Sequence, residues 1–284
     1  SKRWLDGQLA RLRLLLESSD EDLVEWTPVR RQGKEGVTLE FKPIHVGAFA
    51  QPLLFSRAER VLMLSATILD PPTYLASLGI DPEEAAVVSV PSDFPPENRP
   101  LIVRPAARLT RHHLEAQLPR LASEVARVMD EHPEEKGLIH AHSYRIARYL
   151  AANLPEQNRS RLITHEDAGG RDAALEAHTL GREPTVLLSP SMTEGIDLPG
   201  DLARWQIICK IPYPFLGDPQ VARRRELDPS WYEWRTVLRV VQAYGRSVRS
   251  RDDRAVTYLL DADFPSFLRR QRERLPGWFR EALR

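Results

Sequence analysis

Residues 242–249, Gln-Ala-Tyr-Gly-Arg-Ser-Val-Arg, constrain this chain more than any other stretch. On a helix, Gln242, Gly245, Arg246 and Arg249 fall at i, i+3, i+4 and i+7 and share one face. Val237, Val241, Tyr244 and Val248 form a second, apolar stripe. The pattern predicts a long helix over 231–249, one face buried, the other presenting an amide, a bare glycine and two guanidiniums. Arginine stays charged at any physiological pH and binds phosphate bidentately, so two of them one turn apart can clamp a polyphosphate. Two arginines alone read more readily as a solvated basic face. The rest of the chain decides between the two.

Formal net charge is zero over 284 residues, so any polyanion site has to be a local patch. The single Cys209 excludes an internal disulfide and any multi-cysteine metal or iron–sulfur site within the chain, and it suits a reducing cytoplasm. No apolar run approaches a membrane span, and no secretory signal opens the sequence. Ser1 in place of Met reads as the start of a processed or excised piece.

An amphipathic helix is expected over 1–17, with Trp4, Leu5, Leu9, Leu12 and Leu16 on one side. Two extended segments near 23–30 and 37–43, separated by Gly33 and Gly36, suggest a hairpin. A helix near 46–56 follows. Val61–Leu64 is a short apolar run, read as a strand buried on both faces and ended by Ser65-Ala66-Thr67. A helix starts after Pro71-Pro72. Pro91, Pro95, Pro96, Pro100 and Pro105 mark a linker and a domain boundary. Beyond it, helices at 111–131, 144–153, 170–180 and 231–249 alternate with strands at 137–141, 161–164, 185–189, 205–210 and 255–260, before a last helix. That alternation predicts an α/β fold, a parallel sheet covered on both faces, with ligands at the carboxyl ends of its strands.

The segment Ser189–Gly200 leaves one such strand end. Gly195 lets backbone approach a ligand closely, Asp197 can accept from ribose hydroxyls or hold a guanidinium, and Ser191 and Thr193 can donate to phosphate oxygens. An ordinary polar loop has the same composition. Ser65 and Thr67 could relay between a nucleotide site and its neighbours, or simply cap the next helix.

Together these segments carry a resemblance. Leu64-Ser65-Ala66-Thr67, Glu194-Gly195-Ile196-Asp197 and Gln242-x-x-Gly245-Arg246-x-x-Arg249, in that order, resemble motifs III, V and VI of superfamily 2 helicases, most closely the DinG/XPD branch. Phe41-Lys42-Pro43, His142-Ser143-Tyr144, Ile211–Phe215, Asp218-Pro219 and Asp252-Asp253-Arg254 look like flanking elements of that branch. The resemblance covers nearly everything beyond residue 37. It implies a RecA-like second motor domain over 101–284, preceded over 1–100 by the C-terminal remnant of a first motor domain with the base of its arch insertion. In that family ATP with Mg2+ lies between two such domains, and single-stranded DNA is the track. Carried over, Arg249 is the arginine finger, Arg246 a second γ-phosphate contact and Gln242 a coupling residue. Gly195, Asp197, Glu194, Gly245, Ser65 and Thr67 line or couple the nucleotide site. Ser143, Tyr144, Ser191 and Thr193 meet the single strand, and Tyr213 offers a stacking face. A monomeric, cytoplasmic bacterial enzyme serving repair by 5′-to-3′ translocation follows by the same analogy.

The departures are as informative. No G-x-x-x-x-G-K-[ST] occurs, and no DEAH-type box precedes Ser65. Asp130-Glu131-His132-Pro133 imitates one but falls at a helix end, after motif III. The P-loop domain and any iron–sulfur cluster are expected upstream, so the chain is expected to be inactive alone. A non-enzymatic binding module of the same fold is the alternative, although such a module has no use for a finger. His112-His113 and His140/His142 lack the carboxylate or cysteine that would complete a metal set. Trp231 and Trp234 read as core, and Arg223-Arg224-Arg225 as either a DNA-facing patch or a solvated run.

Overall fold

A computed structural model describes residues 2–20, 25–33, 36–190 and 197–284. The chain divides into two compact units, one of residues 1–89 and 213–235, the other of residues 90–212 and 236–284.

The second unit is the α/β sheet that the alternation predicts. Six parallel strands run in the order β3 (Leu101–Ala107), β8 (Val256–Asp261), β7 (Trp205–Ile208), β4 (Gly137–His140), β6 (Val186–Ser189), β5 (Leu162–Thr164). Helices α4 (Leu114–Glu131), α5 (Tyr144–Asn153), α6 (Glu156–Arg159), α7 (Arg171–Leu180), α10 (Phe264–Arg270) and α11 (Gly277–Glu281) complete it, with the later part of α9 (Pro229–Tyr244). Successive side chains of a strand point to opposite faces, and both faces here are buried. Ile139, Val186, Leu188 and Ile207 pack with Leu121, Val125, Ile146 and Leu150. Leu138 and Leu187 pack on the other side with Ala174, Leu198 and Ala203. Each fully buried side chain of this kind contributes about 1.5–3 kcal/mol. At the start of β4 only glycine fits: a Cβ on Gly137 would sit 2.2 Å from the Trp205 ring.

Two elements here differ from the sequence reading. The proline-marked linker ends earlier, because residues 101–107 form β3 with Pro105 inside it. An edge strand tolerates the lost donor, and the register with β8 shifts between Val103 and Ala107. The long helix stops at Tyr244, five residues short of the expected end.

The first unit is smaller. After α1 (Lys2–Asp20) come β1 (Trp26–Gly33) and β2 (Gly36–Pro43), paired antiparallel as the two glycines suggest. Helices α2 (Gly47–Leu53) and α3 (Pro71–Leu78) approach so closely that a Cβ on Gly47 would lie 2.9 Å from the Gly79 backbone. Asp70 caps α3 by accepting from Thr73 N–H at 3.3 Å, and Gly79 closes it in the left-handed region at φ 67°. Helix α8 (Pro219–Leu227), not foreseen in the sequence, ties back to the hairpin. Lys42 pairs with Asp218 at 3.1 Å, Gln220 donates to Pro43 O at 2.6 Å and Arg223 pairs with Glu25 at 2.6 Å. Trp234 is core, as read: its indole N–H donates to Ile68 O at 3.0 Å.

The strand expected at Val61–Leu64 does not form. Leu62 and Leu64 are 80% and 84% exposed, and no described strand lies beside them. A two-sided apolar strand needs hydrogen-bonding neighbours on both edges, and the described residues supply none. No described helix is long and apolar enough to cross a membrane.

Candidate functional site

The candidate residues of the second unit lie at opposite edges of its sheet. Ser143 and Tyr144 follow the carboxyl end of β4, whereas Asp197 and Arg249 sit on the loops that enter the amino ends of β7 and β8, which corrects the expectation that all lie at carboxyl ends. Their placement begins with Tyr244. Its hydroxyl donates to Arg99 O at 2.6 Å, and its ring stacks on Trp278 (5.8 Å) and meets Phe279 edge-on (5.1 Å). Its carbonyl accepts from Gln206 Nε2 at 2.7 Å. There α9 ends, and Gly245 N–H makes the last helical bond, to Val241 O at 3.0 Å. Gln242 therefore stays on the helix, while Gly245 and Arg246 lie on a turn and Arg249 in the loop beyond. The expectation that all four share a helical face is thereby corrected.

What shapes that loop is Asp253, buried in the segment that follows. Its Oδ2 accepts from the backbone N–H groups of Gly200 and Arg249, both at 3.1 Å. Its Oδ1 accepts from Arg204 Nη1 at 3.0 Å and from Arg254 N–H at 2.9 Å. A buried carboxylate is costly unless paired, and these four donors satisfy it. Gly200 takes φ 61°, the left-handed region natural to glycine, in presenting its N–H. One side chain thus anchors both the loop after residue 197 and the loop of Arg249. The arginine's guanidinium pairs with Asp197, so residues that the sequence nominated from two separate segments meet. Both are solvent-accessible, at 37% and 71%, and an exposed pair of this kind is worth about 0–1 kcal/mol, so the guanidinium can exchange its partner.

At the end of β4 the chain turns through His142, which takes φ 50°. Its ring stacks on His140 at 5.7 Å. Burial, then His140, Arg239 and Lys210, hold its pKa well below the ordinary histidine value, so the ring is neutral and its surroundings are positive. Ser143 caps α5, accepting from Ile146 N–H at 3.4 Å, and Tyr144 opens that helix with its side chain exposed. No group of three potential metal ligands occurs among the described residues.

Ser65, Thr67 and Tyr213 belong to the first unit. Ser65 Oγ accepts from Thr67 N–H at 3.1 Å in an exposed turn, and Tyr213, 41% exposed, stacks on Tyr232 at 6.1 Å. Ser191, Thr193, Glu194 and Gly195 lie outside the described residues. At the helix end that imitates an acidic box, Glu131 is held bidentately by Arg104 (2.7 and 2.9 Å) and Asp130 accepts from Asn158 (2.8 Å), so both carboxylates are structural. Sequence reasoning noticed Asp253 only as part of a flanking triplet and missed Gln206 and Arg99. Their partners are backbone groups far along the chain, which no local pattern announces.

Known proteins are similar to this chain. The helicase C-terminal domain family matches residues 125–282. An ATP-dependent DNA helicase DinG of Photobacterium profundum is 26% identical over 260 residues, 84% of this chain and 37% of that protein. A Bacillus subtilis protein named 3′-5′ exonuclease DinG is 22% identical over 92% of this chain and 30% of its own length. The chain thus spans about a third of these relatives. Two solved structures titled XPD_APO and XPD_Helicase share the fold, with TM-scores of 0.64 and 0.62 at 16% identity, each over 94% of this chain and over 55% and 48% of theirs. The chain belongs to the helicase C-terminal domain family, and it is similar in sequence to DinG proteins and in fold to the XPD structures.

Proposed function

We propose that this chain completes the ATP cleft of a DNA helicase of the DinG/XPD type and grips its single-stranded track. The observation that carries the proposal is the meeting of Arg249 with Asp197 on loops pinned by one buried carboxylate. Such a pair presents a mobile guanidinium from a fixed backbone, which is what stabilising a transferring phosphoryl group requires. Bound ATP supplies that phosphoryl group for hydrolysis. Arg249 exchanges Asp197 for a γ-phosphate oxygen and offsets the charge developing there. Arg246, one turn of chain earlier, contributes a second cation, and Gln242 at the end of α9 links the nucleotide to the helix. Mg2+ would take its ligands from the opposing P-loop domain, since phosphate-bound Mg2+ asks for few protein carboxylates.

The single strand runs past Ser143 and Tyr144, where Lys210 and Arg239 make the surroundings positive. Ser191 and Thr193 extend that contact, Tyr213 adds a stacking face, and Glu194, Gly195, Ser65 and Thr67 couple track to nucleotide. Residues 1–100 act as the remnant of the first motor domain and residues 101–284 as the second, within a monomeric cytoplasmic enzyme.

The test is ATP hydrolysis by this chain alone and after mixing with a P-loop half from a DinG-type relative, with single-stranded DNA present. Activity only on mixing supports the reading, and Arg249→Ala then lowers the rate by about a thousandfold or more while strand binding stays within about threefold. Turnover by the unmixed chain sinks it.

A further inference from the structure

A cavity of about 250 Å³ opens beside the β4–α5 turn, and none of the roles above uses it. Ala147 and Ala151 of α5 and Leu188 of β6 line its depth, and Ala147 and Leu188 are buried. Two alanines one turn apart on α5 leave the space that larger side chains would fill. Tyr144, 57% exposed, and His165, in the turn after β5, stand at its sides. Thr164 Oγ1 donates to Asp167 Oδ2 at 2.6 Å and accepts from Asp167 N–H at 3.1 Å, fixing that turn. His165 Nε2 is shielded from water and makes no hydrogen bond among the described residues. Arg148 and Glu166 pair over the rim at 3.0 Å, both largely exposed.

We infer that this cavity receives one base of the single strand, stacked against Tyr144, with its phosphate met by Arg148. The inference rests on the DNA-binding reading above. Three observations choose a nucleobase over other occupants. The space is smaller than the roughly 300–1,000 Å³ of pockets for drug-sized ligands, so it suits a single ring system. Its lining combines Ala147, Ala151 and Leu188 with the rings of Tyr144 and His165, which match a base's faces. Tyr144 and Pro190 line it, so it borders the segments to which the function above gives the strand. Arg148 reaches phosphate by leaving Glu166, an exchange that costs little in an exposed pair.

The experiment is fluorescence anisotropy with a labelled oligodeoxythymidylate and with an abasic strand of equal length, at one fixed salt concentration. The wild-type chain is expected to bind the intact strand about tenfold more tightly. Ala151→Trp, which fills the cavity, is expected to lower that ratio to what stacking on Tyr213 alone supplies, while binding of the abasic strand is unchanged. Photocrosslinking of a 4-thiothymidine strand to wild-type protein provides a second readout independent of that variant, with attachment expected at Tyr144 or His165. Equal affinity for intact and abasic strands overturns the cavity assignment and leaves the DNA reading standing. A ratio kept by folded Ala151→Trp, or crosslinks confined to Tyr213, also overturns it. No binding of either strand removes the DNA reading and the cavity assignment together.

Discussion

Two short apolar runs in this chain behave in opposite ways. Leu138-Ile139 in β4 is flanked by β7 and β6 and is fully buried. Leu62 and Leu64, in an equally apolar run of the first unit, are 80% and 84% exposed without a described strand beside them. Helix α1 repeats the second case, since Leu5, Leu9, Leu12 and Leu16 along one side are all exposed. Apolarity states that a segment is to be covered; only the neighbouring backbone decides whether it becomes a strand. A bare run of this kind marks a surface awaiting a partner. For Leu62 and Leu64 we propose the P-loop motor domain.

Ile139→Asp gives the largest contrast. A charge buried without a partner should cost more than about 4 kcal/mol and unfold the second unit, whereas Leu62→Asp should change stability by less than about 0.5 kcal/mol. Urea denaturation followed by hydrogen exchange in each unit reads both. Comparable losses would erase the distinction between the two runs. Leu62→Asp should nevertheless abolish reconstitution with a P-loop half, and unaltered activity on mixing would reject the partner proposed for that surface.

Acid should act next most strongly, and on the second unit. His178 is fully buried, donating from Nε2 to Leu202 O at 2.8 Å and accepting at Nδ1 from Thr185 Oγ1 at 2.9 Å. Burial lowers its pKa from 6.5 to about 4, so the folded chain keeps it neutral while the unfolded chain protonates it. Stability is complete above about pH 6.5 and falls as pH drops toward about 4, by about 3 kcal/mol at most. Denaturation at matched ionic strength across that window checks the slope, and His178→Asn should flatten it.

Asp253→Ala strands the Gly200 and Arg249 amides and should cost about 2 kcal/mol. Gly137→Ala drives a methyl into Trp205, with a loss of about 1–3 kcal/mol, visible as a lowered thermal midpoint. Lys42→Ala breaks a partly exposed pair with Asp218 in the first unit and should cost less than about 1 kcal/mol. A larger loss there would show that the hairpin depends on α8 more than its ion pairs imply.

The inner strands of the second unit were legible because each is a self-contained apolar run between polar turns. β3 was not, since Pro105 disguises an edge strand as linker, and α8 was hidden in a stretch that reads as prolines and arginines. The end of α9 was misplaced because Arg246, Ser247, Val248 and Arg249 continue a helical pattern as far as composition goes. The helix ends in a turn in which Tyr244 O accepts from Arg246 N–H at 2.9 Å and from Gln206 Nε2, 38 residues away, at 2.7 Å. Of the candidate site, the sequence named Arg249 and Asp197 and the structure joined them. It could not name Asp253 as their organiser, because a carboxylate's backbone donors leave no mark in residue identity. Lys42 and Asp218 were noticed separately and pair across 176 positions.

The shared carboxylate of Asp253 has a thermodynamic corollary. The amides of Gly200 and Arg249 bind the same oxygen, so a shift of either loop that carries Asp253 with it alters the other's hydrogen bond. Any ligand that draws the arginine loop to a new position changes the free energy of the loop after Asp197 by the same amount that occupancy at the second loop changes affinity at the first. Linkage makes that exchange reciprocal.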